Sequence, residues 1–233
     1  MTKNIVLVHG WGSSSTKLLG LATSLAKLGW QVFTPPLPGF EIAVPKSVWG
    51  VPEYANYVYE SALEHFVNKP FTVFGHSFGG RITIYLGAHK KRYLQSLVLC
   101  AASGVTRKNK FVRRLFMLGA KVGKGLVGTG PRILFKKYLY KLSREHDYEK
   151  LEGLMKKVFQ KVVDYDAKID APSVYKPTLI VWGTRDRLTP LSDAKILKSL
   201  IHKSKIVLFD GFGHRLPYDN PTGVARKINE WCH

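Results

Sequence analysis

Hydrophobic positions along this chain fall into two alternating kinds of segment. Short, nearly continuous apolar runs recur at Asn4–Val8, Gln31–Thr34, Phe71–Phe74, Ser96–Cys100, Thr178–Trp182 and Lys205–Phe209. Runs of this length, rich in Val, Ile and Phe, suit strands of a parallel sheet that is covered on both faces. Between them lie longer segments in which apolar residues return every three or four positions, the period of a helix. Leu18, Leu21, Leu25 and Leu28 make one such face, with Ser13-Ser14-Ser15-Thr16 as candidate caps and Gly29 as the stop. Tyr54, Val58, Ala62 and Phe66 make another, in a helix predicted from Pro52 to about Val67. Further helices are predicted over Arg81–His89 and Leu191–Ile201, and from Pro221 to Trp231 with Asn220 as N-cap. Strands that alternate with helices in this way define an α/β protein with a mostly parallel, six-stranded sheet.

The alternation lapses once. From Val105 to about Val163 no strand is predicted, and helical stretches are joined by Gly119, Gly123, Gly125, Gly128 and Gly130. The expectation is one sheet domain, residues 1–104 and 170–233, interrupted by a helical cap at 105–169. Pro35-Pro36-Leu37-Pro38-Gly39-Phe40 reads as an irregular loop, because its prolines exclude both helix and central strand.

Composition narrows the class. With 233 residues, 45% of them hydrophobic, the chain can bury one sizeable core. No run approaches the roughly 18–20 apolar residues of a membrane span. Met1-Thr2-Lys3 leads directly into the first strand, which leaves too little sequence for a signal peptide. The two cysteines, Cys100 and Cys232, do not suggest a disulfide framework, so a cytoplasmic setting is the default expectation. No set of His, Cys and carboxylate residues has metal-ligand spacing, and nothing implies a metal or other cofactor.

Candidate chemistry lies just past the strand ends, where functional groups of open parallel sheets collect. The third strand runs into Gly75-His76-Ser77-Phe78-Gly79, a G-x-S-x-G pattern with Ser77 on a sharp strand-to-helix turn. Glycine is needed on either side because a Cβ there would strike the neighbouring strand or helix. His9-Gly10-Trp11-Gly12 follows the first strand, Asp186 the fifth and His214 the sixth. Serine is a poor nucleophile at neutral pH and needs a base such as His214, itself oriented by an acid such as Asp186. Asp193 rivals Asp186 locally but falls within the next predicted helix, where it reads as an N-terminal acid. His9 and His76 read as structural or pocket-lining residues, Asp210 as a turn residue, and Cys100 as a small buried hydrophobe.

In their order and separation, the HGWG, GHSFG, WGTRD and GFGH motifs resemble the α/β-hydrolase superfamily over nearly the whole chain. The resemblance implies a Ser77–Asp186–His214 triad and an oxyanion hole made of the backbone N–H groups of Trp11 and Phe78. Two departures stand out: the first two strands of the family are absent, and Pro38-Gly39-Phe40-Glu41 replaces a Gly-His-Gly-like loop. Serine at the turn argues against the dehalogenases and epoxide hydrolases of this fold, which carry aspartate there. The implied activity is cleavage of a small-molecule carboxylic ester, with Trp11, Phe40, Trp49 and Phe78 as candidate acyl-pocket residues. The same triad serves thioester and C–C bond hydrolysis, and a ligand-binding protein on a hydrolase scaffold is the alternative from another class.

Charge changes the picture in one place. The chain carries 36 Lys+Arg against 16 Asp+Glu, a net +20. Twelve basic residues and no acid lie between Val105 and Arg144: Arg107, Lys108, Lys110, Arg113, Arg114, Lys121, Lys124, Arg132, Lys136, Lys137, Lys141 and Arg144. A solvated basic face is the plainest reading. An acidic carrier protein or an anionic surface is the sharper one. The basic cap and HGWG resemble the esterases that act on carrier-bound acyl methyl esters. Such a cap would repel the free ammonium of an aminopeptidase substrate, and without a binding motif the charge does not suggest nucleic acid.

Overall fold

The computed structural model describes residues 3–90, 92–105 and 153–232. The twelve basic residues of the expected cap lie outside the described residues. The strands are β1 (Asn4–Val8), β2 (Gln31–Phe33), β3 (Phe71–His76), β4 (Leu94–Cys100), β5 (Thr178–Gly183) and β6 (Ser204–Phe209). They form one six-stranded sheet in the order β2-β1-β3-β4-β5-β6, and every pairing is parallel. The order reverses between β1 and β3, so the loops after these two strands open side by side at one sheet edge.

Alternate residues of each strand feed opposite cores. Val6, Val8, Val73, Leu97, Leu99, Ile180 and Trp182 face α2 (Val51–His65) and α3 (Phe78–His89). Ile5, Leu7, Phe74, Val98, Leu179 and Val181 face the other layer, built from α1 (Leu19–Ala26) and the closing helix Pro221–Trp231. The first layer also takes in α4 (Gly153–Asp164), through Met155, Val158 and Val162. Two contacts pin α4 in place: Lys161 pairs with Glu53 of α2 at 2.8 Å and donates to the Val48 carbonyl. Among the described residues no helix is long and apolar enough to cross a membrane.

Three local expectations are corrected. Ser15 already has helical backbone angles (φ −56°, ψ −40°) and makes no side-chain cap; α1 is entered through a tight turn at Thr16–Leu18, and the Ser15 hydroxyl is used elsewhere. Leu28 lies beyond the helix end and is exposed. The helix after Ser77 begins at Phe78, ahead of the expected Arg81, because the turn is complete within one residue. By contrast, Asn220 caps the closing helix as its sequence suggests, accepting from the Gly223 N–H at 3.0 Å.

Candidate functional site

Ser77 sits between β3 and α3 with φ 53° and ψ −108°, in the left-handed region that side chains with a Cβ avoid. Holding a residue there costs roughly 1–3 kcal/mol and persists only where the surroundings enforce it. Here the Ser77 N–H donates to the Cys100 carbonyl at 3.1 Å, and the Ser77 carbonyl accepts from Ser103 and Gly80, each at 3.0 Å. The flanking glycines are sterically required. A Cβ on Gly75 would lie 2.2 Å from the Gly79 carbonyl oxygen, and one on Gly79 2.2 Å from that of Val8. The side chain is therefore lifted off the sheet at the N-terminus of α3, a helix end whose N–H groups favour negative charge.

Asp186 and His214 are brought together. His214 Nδ1 donates to Asp186 Oδ2 at 2.9 Å, across 28 positions of sequence. Asp186 is buried, and each of its oxygens is engaged. Oδ1 accepts from the Leu188 and Thr189 N–H groups at 2.8 and 2.9 Å, and Oδ2 also accepts from the Thr189 hydroxyl at 2.8 Å. Burial would raise the Asp186 pKa, but the donors from His214 and Thr189 outweigh it and hold the carboxyl below its ordinary value. The loops bearing the pair are stitched to each other: Arg185 N–H donates to the Phe212 carbonyl at 2.8 Å, and Thr184 Oγ1 to Asp210 at 2.9 Å. Asp210 thus serves its turn. Gly183 permits this contact, since a Cβ would meet the Phe212 oxygen at 2.3 Å.

A second chain of bonds ties His214 to the serine turn. His76 Nε2 donates to the His214 carbonyl at 2.8 Å, and the two rings lie 4.9 Å apart. That donation leaves His76 Nδ1 as an acceptor, taken by the Tyr218 hydroxyl at 3.1 Å. Tyr218 in turn lies 3.3 Å from Ser13 Oγ. Burial, with His214 next in importance, pushes the His76 pKa down to about 3, so this imidazole stays neutral at working pH. His76 therefore spans the gap between Ser77 and His214 as a fixed brace.

The His9–Gly12 loop also borders Ser77. A Cβ on Gly10 would come 3.4 Å from that of Ser77, so this loop runs directly beside the serine. Trp11 makes edge contacts with Phe40, Phe78 and Phe159 at ring distances of 4.8, 5.4 and 5.0 Å. Phe78 also meets Tyr54 at 5.3 Å. Trp11, Phe40 and Phe78 thus gather in one aromatic cluster, joined by Phe159 of α4. Trp49 instead packs on Tyr54 and Tyr57, along an outer groove lined by Glu53, Asn56 and Glu60. Arg81 is buried on α3 and donates to Ser103 Oγ at 2.8 Å and to the Val162 carbonyl near the end of α4. Its burial draws the guanidinium down to about 10. Arg81 couples α4 to the serine helix.

Sequence reasoning missed Thr189, Tyr218 and Glu41. Thr189 shared a loop with Asp186 and could have been found as the next hydroxyl-bearing residue. Nothing local marked the other two.

Compared with known proteins, the chain is 26% identical to an uncharacterized protein of Mycobacterium tuberculosis over 94% of this chain and 72% of that one. It is 28% identical to monoacylglycerol lipase ABHD6 of Bos taurus over 69% of this chain, and spans just over half (54%) of that protein's length. Among solved structures, a thermophilic esterase from Thermogutta terrifontis superposes with a TM-score of 0.73 at 21% identity, covering 98% of this chain and 89% of the other. The family model described as "Serine aminopeptidase, S33" matches residues 1–221, and the chain accordingly belongs to that family of α/β-hydrolases.

Proposed function

We propose that this chain is a serine hydrolase that cleaves carboxylic esters through an acyl-enzyme. The reading rests chiefly on a strained Ser77 braced through His76 to a histidine whose Nδ1 is already committed to a buried, fully bonded carboxylate. With Nδ1 so committed, Nε2 is the nitrogen that acts as base. Ser77 Oγ attacks the ester carbonyl carbon while His214 Nε2 takes its proton. The C=O bond opens to an oxyanion held by the Trp11 and Phe78 N–H groups, each worth roughly 3–4 kcal/mol in such a role. The imidazolium, stabilised by Asp186, then returns the proton to the departing alcohol oxygen as the C–O bond breaks. Water repeats the sequence on the acyl-enzyme, releasing the acid and restoring Ser77. The Trp11–Phe40–Phe78–Phe159 cluster supports an apolar acyl group, in line with the lipase name of the Bos taurus relative. The basic residues between 107 and 144 we assign to an acidic carrier or anionic surface that presents the substrate.

A panel of p-nitrophenyl esters of increasing acyl length, run beside amino-acid p-nitroanilides, tests this reading. Ester turnover that disappears in Ser77→Ala is expected, with little or no anilide cleavage. Anilide turnover exceeding ester turnover would replace the ester reading with an aminopeptidase. Inertness to both would point to a binding protein.

A further inference from the structure

Among the described residues, two buried polar atoms at the site, His9 Nε2 and Glu41 Oε2, have no formed hydrogen bond. They face each other at 3.1 Å, within reach of one shared proton. The rest of each side chain is committed. His9 Nδ1 lies 2.8 Å from the Gly10 carbonyl oxygen; a carbonyl only accepts, so Nδ1 carries a proton. Glu41 Oε1 accepts from Ser15 Oγ at 2.5 Å. If Nε2 and Oε2 both lacked a proton, two lone pairs would confront each other in a dry site, which is costly. One proton between them removes the conflict.

Geometry then carries the pair's influence to the reaction. The Gly10 carbonyl and the Trp11 N–H belong to one trans peptide plane and point in opposite directions. Holding the carbonyl oxygen from one side, as His9 Nδ1 and the Ser13 N–H (3.2 Å) both do, fixes where the Trp11 N–H points on the other. It also polarises that N–H, as chained hydrogen bonds do. We propose that Glu41 is a positioning residue for the oxyanion loop: it shares a proton with His9 Nε2, locks the imidazole, and through the Gly10 carbonyl aims the Trp11 N–H at the developing oxyanion. The proposal rests on the ester-hydrolase reading for its catalytic consequence, but the shared proton stands apart from it.

Other groups bear on the pair. Lys17, from the turn before α1, opposes positive charge on His9, while the Gly10 carbonyl and Glu41 favour it. Burial is the largest influence and lowers the His9 pKa. Phe40, next to Glu41 in sequence, closes the pocket with its ring 5.8 Å from that of His9.

The test combines kinetics with nitrogen NMR, using a fluorophosphonate titration to count competent Ser77 sites so that misfolded protein does not enter the rates. Glu41→Ala is expected to lower kcat on a p-nitrophenyl ester ~10–50-fold, part of the ~10²–10³-fold lost when an oxyanion donor is removed outright, with KM changed less than ~3-fold. Glu41→Gln, whose amide N–H can donate to Nε2, is expected to recover most of that loss. In ¹⁵N-labelled protein His9 should show a proton at Nδ1 and a hydrogen-bonded Nε2, the latter lost in Glu41→Ala. Full kcat per competent site in Glu41→Ala, or equal losses in the Ala and Gln variants, would overturn the positioning role. If the parent protein turns over no ester, the NMR signature decides: its presence supports the shared proton and its absence overturns it.

Discussion

Thr189→Val is the sharpest single-atom perturbation of the candidate site. The substitution keeps the side chain's shape and exchanges a hydroxyl for a methyl. That hydroxyl lies 2.8 Å from Asp186 Oδ2, 3.2 Å from His214 Nδ1 and 3.2 Å from the Ala101 carbonyl. The carboxylate keeps its two backbone donors and His214 but loses one charge-assisted bond. Such bonds are worth about 1.5–3 kcal/mol to stability. For a chain of this size, that corresponds to a fall in Tm of ~4–10 °C. Because the folded pKa of Asp186 is depressed below 3.8, its stabilisation is present in full above that value and is lost as pH falls through the folded pKa. In Thr189→Val the depression is smaller. The gap between parent and variant should therefore be complete near neutral pH and shrink once the carboxyl is protonated in both. Urea unfolding followed from about pH 7 down through the acid limb, with Thr189→Ser as the hydroxyl-retaining control, measures it. A gap below ~0.5 kcal/mol at neutral pH, or one that persists undiminished in acid, would refute this account of what holds Asp186.

Other substitutions probe neighbouring contacts. Gly79→Ala places a Cβ 2.2 Å from the Val8 carbonyl oxygen, backbone that cannot step aside, and should cost ~3 kcal/mol or more in urea unfolding. A soluble variant of parental stability would contradict the packing at the turn. His76 is neutral when folded and ionises freely when unfolded, so its contribution is present above 6.5 and declines as pH falls toward about 3. Acid unfolding curves of His76→Gln should lack roughly 2–3 kcal/mol of the parent's loss between about pH 6.5 and pH 4.5; equal slopes would count against a buried neutral imidazole. Tyr218→Phe removes the donor to His76 Nδ1 and should lower Tm by ~2–4 °C in a calorimetric scan. Charge removal at Arg113 and Arg114 should leave small-ester kcat within ~2-fold while weakening retention on anionic vesicles or an acidic carrier. Parallel loss of both would separate the basic segment from any docking role.

The sheet was legible because its signals are local. Six apolar runs gave six strands, and Gly75, Ser77 and Gly79 gave the turn, since steric exclusion around a two-residue spacing depends on little else. Asp186 and His214 were legible for a related reason: each closely follows a buried strand in a sheet whose loops converge. The supports of the site were not. Glu41 meets His9 from a proline-rich loop with no periodicity, 32 positions along the chain, and Ser15 gave up an expected helix cap to reach it. His76 and Tyr218 are joined across 142 positions by one hydrogen bond. Arg81 entered the sequence reading only as the start of a helix, yet its guanidinium is buried between Ser103 and the end of α4. Hydrophobic pattern locates elements; it does not report which polar groups pair when loops from different strands close over one edge.

The central claim is that Ser77, His214 and Asp186 act as one nucleophilic unit. Its most direct measurement is the rate and site of fluorophosphonate labelling, read by intact mass and peptide mapping. A single phosphonyl group per chain on Ser77 is predicted, absent in Ser77→Ala and slowed at least ~10²-fold in His214→Gln, because without the imidazole the hydroxyl keeps its proton. An adduct on another residue, or equal labelling rates for the parent and His214→Gln, would contradict it.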